Sequence, residues 1–453
     1  IMPPKMAHRS TGSMIYTLYR ALTIGLTPLI RLHLRFRIIR GLEHPNRWPE
    51  RLSNSSIPRP HGPLVWFHAV SLGEGMAAIP VIKECLKRRK DINILMTTTT
   101  LSSFNVLKDQ IPNGVLHQFS PVDTPAAIET FLNHWNPNAI FIIENELWPN
   151  LIMISSRKGI RLTLLNARVS SRSFKLWSSA MLFPLVSLML SKFTLIMPLS
   201  NKQAILLQLL EASPYNVNFA GDLKYVVEYK SPIGYRKRME NLQLLLESKM
   251  VWLASSIHNN EERVIIEVHN MLLHRYPNML TIIVPRYPQK APKIAQELEN
   301  FGWNVALASR NKVSTNKINA YVVDTLGELR YLYKLSPIAV IGGSLCKGLN
   351  GHNISEAAAA GCAVITGEHV GHFAHMVREM QETNPLAVLQ VGGQMDLKDA
   401  ISRLLDDPNE LQLRRLAAKQ SFETLSCNII ANVWKVLNSR IFNDISSQLL
   451  NSK

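Results

Sequence analysis

Cysteine is scarce in this chain of 453 residues: Cys85, Cys346, Cys362 and Cys427 are scattered, and no two form a CxxC pair. That argues against a disulfide framework or a zinc site and for a reducing compartment. A Walker A lysine loop is absent. So is the GxGxxG fingerprint, which argues against dinucleotide redox chemistry. No HExxH or DxD-like pair stands out, so no metal ion and no cofactor are expected. A spanning helix needs ~20 apolar residues, and no run suits that role. Met14 to Ile30 is interrupted by Arg20 and Pro28. Leu176 to Ser191 is uncharged for 16 residues, includes Pro184 and is closed by Lys192. It reads as a buried or monotopic helix with basic flanks.

Acidic residues are missing where basic ones gather. Residues 1–45 hold seven Lys/Arg against the single acid Glu43, and residues 147–210 hold eight Lys/Arg and no acid. Together the two stretches carry +14 of the formal +17. Charge this regional favours a particular anionic surface or ligand. Anionic membrane and phosphorylated lipid fit. Nucleic acid fits less well, because no RNA- or DNA-binding motif accompanies the charge, and none is expected as a partner. The same residues also suit a solvated basic face. The Arg-rich, acid-poor start resembles an organellar transit peptide, or a helix lying in a membrane interface.

The length allows two or three domains at roughly 100–200 residues each, and a hydrophobic fraction of 46% suffices for real cores. Short apolar runs predict strands at Leu64–Val70, Ile92–Thr97, Ala139–Ile143, Leu162–Leu165 and Thr194–Met197. A second series follows at Val251–Ala254, Leu280–Val284, Ala320–Val323, Ile338–Ile341 and Ala363–Ile365. Helical patterns separate them, which implies βαβ units and parallel sheets. The expected organisation is an amino-terminal targeting or membrane-associated segment (1–45) and a Rossmann-like domain (46–225). A charged linker (226–249), a second Rossmann-like domain (250–415) and a helical carboxy-terminal segment (416–453) follow. From Pro408 to about Ile441 the pattern is helical. Two such α/β halves facing a central cleft match the GT-B glycosyltransferase architecture by analogy.

Three places in the first half carry candidate chemistry. Glu74 sits between Gly73 and Gly75, where the first strand is expected to turn into a helix beginning near Met76. Open α/β sheets react their substrates at such strand ends. The same residues also accommodate a capping Glu in a tight turn. Glu144 and Glu146 follow the strand Ala139–Ile143, so two carboxylate loops share one end of one sheet, allowing one acid to deprotonate a hydroxyl while the other orients a group. Glu146 equally suits capping of the next helix. Lys224, before the linker, offers a cation to a departing phosphate, or is a surface lysine.

The second half has three motifs at strand ends. Pro285-Arg286-Tyr287-Pro288 presents a guanidinium suited to a phosphate or carboxylate. Asp324-Thr325-Leu326-Gly327-Glu328 carries a glycine that lets backbone approach a ligand. Gly342-Gly343-Ser344, a plain tight turn if taken alone, precedes Gly351-His352-Asn353-Ile354-Ser355-Glu356. There a helix opens toward an anion, and Glu356, one turn in, suits ribose hydroxyls.

These motifs, with Met96-Thr97-Thr98-Thr99-Thr100, Asn166-Ala167-Arg168 and Gly221-Asp222-Leu223-Lys224, resemble the 3-deoxy-D-manno-octulosonic acid (Kdo) transferase family over residues 15–440. In detail the chain is most similar to the plant mitochondrial members. The resemblance implies a GT-B fold, CMP-Kdo as donor, a tetraacyl lipid A precursor as acceptor and inversion at the anomeric centre. By it, Glu74 matches the general base, and Glu144 and Lys224 match residues that stabilise the transition state. Pro285 and Arg286, Leu326-Gly327-Glu328, and Asn353, Ile354, Ser355 and Glu356 match the CMP-binding segments. It also implies membrane association in the mitochondrion, as the bacterial counterparts work at the cytoplasmic face of the inner membrane. The family's Pro-Arg-His-Pro reads Pro285-Arg286-Tyr287-Pro288 here, and its Asn-Pro-Leu-Glu reads Asn353-Ile354-Ser355-Glu356. A GT-B nucleotide-sugar epimerase, or a non-catalytic membrane-surface protein, are the other readings.

Overall fold

The computed structural model describes residues 4–226, 242–244, 246, 248–310, 318–325, 327–443 and 445. The chain divides into two units, Ile1–Lys230 with Asn428–Lys453, and Ser231–Cys427. Most of segment 226–249 lies outside the described residues.

The sheet of the first unit has six parallel strands: β1 (Leu64–His68), β2 (Asn93–Thr98), β3 (Leu116–Phe119), β4 (Ala139–Ile143), β5 (Arg161–Ala167) and β6 (Leu195–Pro198). They run in the order β3-β2-β1-β4-β5-β6. Strands β1 and β4 are buried at every position, as expected of parallel strands covered on both faces, which must be apolar throughout. His68 pairs across to Thr97 on one side and Ile142 on the other. The chain builds outward from β1 to β3, then returns to build β4 to β6. Its order therefore reverses between β1 and β4.

The second unit repeats the plan with β7 (Met250–Ile257), β8 (Met279–Pro285), β9 (Val305–Leu307), β10 (Ala320–Val322), β11 (Ile338–Ile341), β12 (Ala363–Gly367) and β13 (Val388–Val391). The order is β13-β12-β11-β7-β8-β10-β9, all parallel. Here the reversal falls between β7 and β11. Three strands had no apolar run to announce them: β3, β9 and β13. All three are sheet edges, and each is only partly buried. An edge strand need not be apolar on both faces, so its sequence carries less signal.

The helices depart from expectation in three places. Leu176–Ser191 is not one helix. Ser171–Trp177 has no buried residue, whereas Phe183–Leu190 is buried from Pro184 onward. Pro184 lies in the first turn of the second, where its missing N–H has no partner to lose. The carboxy-terminal pattern is not continuous either: Pro408–Ser426 stops, Asn428 adopts φ 64, and Ile429–Leu437 continues in the first unit. The third departure, at the start of the helix after β1, belongs to the site below.

Helices α1 (Pro4–Gly25) and α2 (Thr27–Ile39) precede the sheet. Helix α1 docks closely on Phe183–Leu190, since a Cβ on Gly12 would lie 2.3 Å from the Pro184 carbonyl oxygen. Tyr16 is buried in the same core. On the outer side Met14, Leu18 and Leu22 are exposed at helical spacing, as are Leu29, Leu32 and Phe36 of α2, among exposed Arg31 and Arg35. Among the described residues no helix is long and apolar enough to cross a membrane.

Candidate active site

Strand β1 ends at His68, and Ser71 caps helix α3 (Leu72–Arg88), its hydroxyl accepting from the Glu74 amide at 3.3 Å. Glu74 reaches back. Its Oε2 accepts the Val70 amide proton at 2.7 Å and its Oε1 accepts the Ser71 hydroxyl at 2.8 Å. This reciprocal arrangement is a variant of the capping box, in which the carboxylate takes the amide of Val70, one residue before the N-cap, rather than that of Ser71 itself. The expected Gly-X-Gly turn is therefore corrected: Gly73 and Gly75 are helical, in α3's first turn. Gly75 is needed for packing, because a Cβ there would lie 2.4 Å from Leu107 Cδ1, on helix α4 (Leu101–Gln110), and 3.1 Å from Met96 Cε. A Cβ on Gly73 would meet nothing, so space is open beside Glu74.

Glu74 is 7% exposed. Burial, only partly offset by the Val70 amide, pushes its carboxyl up to about 7, with Glu146 and Glu144 adding to the rise. A capping carboxylate this poorly solvated takes up a proton near neutrality. Capping and proton acceptance are thus compatible in one residue.

Glu144, directly after β4, is also buried and adopts φ 60. Left-handed backbone at a non-glycine residue costs about 1–3 kcal/mol and persists only where its surroundings enforce it. Lys224 Nζ stands 2.5 Å from its Oε1, and Arg168 Nη1 stands 4.0 Å from its Oε2. Asn166, at the end of β5 and also left-handed (φ 53), anchors the lysine's segment. It accepts the Leu223 amide proton at 2.9 Å and donates to Asp222 Oδ1 at 3.1 Å, which in turn accepts the Lys224 amide proton at 2.9 Å. Lys224 is thus not a loose surface lysine.

Glu146 does not cap the next helix. The helix Pro149–Arg157 begins at Trp148 without a side-chain cap, and the Trp148 indole donates to Glu146 Oε2 at 2.9 Å. Burial raises the Glu146 carboxyl. Trp148 meets the His68 ring edge-on at 4.5 Å. Complete burial, with Arg51 nearby, holds His68 down to about 3, so it is neutral beside Thr97 Oγ1 at 3.1 Å.

In the second unit Arg286 follows β8, its amide donating to the Ile257 carbonyl at 2.9 Å and its guanidinium 6.0 Å from the Tyr287 ring centre. Its side chain is exposed, while Pro285 is buried. Gly327 adopts φ 90, and buried Glu328 accepts a hydrogen bond from the Thr325 hydroxyl. Leu326 lies outside the described residues. The helix Ser355–Ala359 is only five residues long, and Asn353 Oδ1 accepts the Ser355 amide proton at 2.9 Å. Ile354 and Ser355 are buried. Half-buried Glu356 is the second helical residue, not one turn in.

Two residues here escaped the sequence analysis. Glu261 is fully buried and accepts the amide protons of Gly343, Ser344 and Leu345 at 2.7, 3.0 and 2.8 Å, and that of His258 at 3.0 Å. The glycine loop's amides are therefore occupied by the protein's own carboxylate. His258 Nε2 lies 2.9 Å from His352 Nε2. The only sequence signal for His258 is its position just past an apolar run.

Two parallel-sheet units of this kind, with polar side chains where each strand order reverses, define the GT-B class of glycosyltransferases and nucleotide-sugar epimerases. A putative UDP-N-acetylglucosamine 2-epimerase from Listeria monocytogenes superposes with a TM-score of 0.58 over 84% of this chain and 98% of its own, at 11% identity, a likeness of fold alone. Residues 46–227 match the family model for 3-deoxy-D-manno-octulosonic-acid transferase (kdotransferase). A probable mitochondrial 3-deoxy-D-manno-octulosonic acid transferase of Arabidopsis thaliana is 58% identical over 95% of this chain and 97% of its own length. The Haemophilus influenzae 3-deoxy-D-manno-octulosonic acid transferase is 30% identical over 90% and 94%. The chain belongs to the Kdo transferase family of glycosyltransferases.

Proposed function

We propose that this protein transfers Kdo from CMP-Kdo to a hydroxyl of a tetraacyl lipid A precursor, inverting the anomeric centre, at a membrane surface in the mitochondrion. The observation that carries the reading is Glu74, a buried carboxylate pushed up to about 7 at the carboxyl end of β1. Its pKa suits a general base at neutral pH, a role worth about 10²–10⁴-fold in rate.

Glu74 removes the acceptor hydroxyl proton as that oxygen forms a bond to the anomeric carbon. The bond from that carbon to the phosphate oxygen breaks, and CMP leaves with the electron pair. Lys224 and Arg168 pair with Glu144, and Lys224 offers positive charge to the transition state. In the second unit Arg286 pairs with the donor's phosphate. Pro285, Gly327, Glu328 and Asn353 to Glu356 hold the nucleotide, with Leu326 in the same motif. The reaction needs no metal or other cofactor.

The acid-free basic stretch 147–210 suits the acceptor's phosphates, and the exposed apolar side chains of α1 and α2 suit a lipid surface. The word "mitochondrial" in the name of the Arabidopsis relative supports the location.

The test is incubation with CMP-Kdo and tetraacyl lipid A precursor, with the lipid product weighed by mass spectrometry. A Kdo mass increment is expected, reduced about 10²–10⁴-fold in Glu74→Ala. Wild-type turnover by Glu74→Ala would sink the assignment of the base. An altered free sugar nucleotide with no lipid product would favour an epimerase instead.

A further inference from the structure

In both units polar side chains stand where the strand order reverses. In the first, β1 and β4 flank that point, and Glu74 and Glu144 follow them. In the second, β7 and β11 flank it. There the side chains are His258, directly after β7, and His352, in the loop after β11. Open α/β sheets bind ligands in such a crevice. Arg286 enters from β8, on the other side of β7.

The two imidazoles lie nearly coplanar and edge to edge, with centroids 5.1 Å apart and planes at 11°, and their Nε2 atoms are 2.9 Å apart. At that separation one nitrogen donates and the other accepts, so a single proton serves both. The loop around them is closely fitted. Gly343 adopts φ 69, and a Cβ there would lie 2.7 Å from His352 Cδ2. The Glu261 carboxylate ties the β7 and β11 loops together by accepting four amide protons, one from His258 and three from Gly343, Ser344 and Leu345.

We propose that His258 and His352, together with Arg286, seat the donor's phosphate, an oxygen of which replaces the shared proton contact and accepts an N–H from each imidazole. The proposal rests on the CMP-donor reading above. Each neutral imidazole presents an N–H at Nε2 in its Nε2–H tautomer, and protonation of His352 adds a positive charge that favours the phosphate. Burial first, then Arg286 and His258, hold His352 down to about 4, so His352 is neutral in the free protein. An arriving phosphate reverses that balance, and affinity rises as pH falls. The other groups facing the pair are Tyr287, edge-on to His258 at 6.1 Å, and Glu261. Glu368 and His369 lie on the loop after β12, where the His369 amide donates to the Ser344 carbonyl at 3.0 Å.

The experiment is calorimetric titration of the full-length protein with CMP, UMP and cytidine between pH 6 and 8. Wild type is compared with His258→Asn, His352→Asn, the double variant and His258→Arg. Titration of the ligand's own phosphate is common to all and cancels between variants. Each Asn variant should lose about 10- to 100-fold in CMP affinity with cytidine binding unchanged. The double variant should lose more than either single one, and the loss should shrink toward pH 8. His258→Arg keeps the preference for CMP over cytidine and loses its pH dependence. CMP and cytidine affinities falling together would mark a merely structural pair and overturn the proposal, as would wild-type CMP binding by either Asn variant. Pair-dependent binding of UMP in preference to CMP would overturn the donor reading and support the phosphate seat.

Discussion

Lys224 Nζ lies 2.5 Å from Glu144 Oε1, and Glu144 makes that contact from left-handed backbone. The strain and the charge are separable by mutation. Glu144→Ala and Glu144→Gly both remove the carboxylate, but only glycine is at ease at φ 60. Glu144→Gly should be more stable than Glu144→Ala by about 1 kcal/mol, and both should be impaired in transfer. Lys224→Met leaves the carboxylate buried and unpaired by its lysine. It should cost about 3 kcal/mol, the low end for breaking a buried pair, since both side chains retain some solvent contact. Denaturant titration of the three variants checks the order.

Turnover should rise with pH through about 7 as Glu74 loses its proton, and Glu74→Gln should abolish both the rise and the activity. Stability moves the opposite way. A carboxyl raised from its ordinary value to about 7 in the fold stabilises fully below pH 4.5. That contribution is lost as pH climbs through 7. Glu74→Gln should therefore melt above wild type at pH 8, and the difference should vanish below pH 4.5. A melting difference that is constant with pH would contradict the buried carboxyl.

The two glycines around Glu74 should behave oppositely. Gly75→Ala drives a Cβ into Leu107 and should destabilise by about 1–3 kcal/mol. Gly73→Ala meets open space in a helix and should stabilise by up to ~1 kcal/mol. Thermal melts of the pair check this. Lower turnover in Gly73→Ala despite the higher melting temperature would indicate that substrate uses the space beside Glu74.

The exposed stripe of α1 makes a membrane prediction. Leu18→Asp with Leu22→Asp should reduce co-flotation with anionic phospholipid vesicles by at least tenfold. Two charges at an interfacial position oppose insertion and repel the anionic surface. Both side chains are more than half exposed, at 71% and 57%, so the melting temperature should hardly change. Unchanged flotation would rule out this face as the docking surface.

Much of the site was legible because its residues stand at the ends of strands that must be apolar throughout. Runs such as Leu64–His68 and Ala139–Ile143 are covered on both faces, so they announce themselves and point to Glu74 and Glu144. The start of α3 is hidden in the sequence because Gly73 and Gly75 have low helix propensity. The better signal was Ser71-x-x-Glu74, a capping box spelled out in the chain. The edge strands β3, β9 and β13 were silent because partial burial places little demand on their composition.

Two α/β units, their central strands and the acids and cations at their ends are properties of local sequence, since burial on both faces and turn chemistry act on neighbouring residues. Partnership is a different matter. Lys224 meets Glu144 only because Asn166 and Asp222 hold its segment to the end of β5. Glu74 acquires its raised pKa only because packing removes water from a carboxylate that would ionise freely in an exposed turn. His258 meets His352 only because the strand order brings β11 beside β7. Contacts between residues remote in the chain, and the desolvation that tunes them, come from the packed fold.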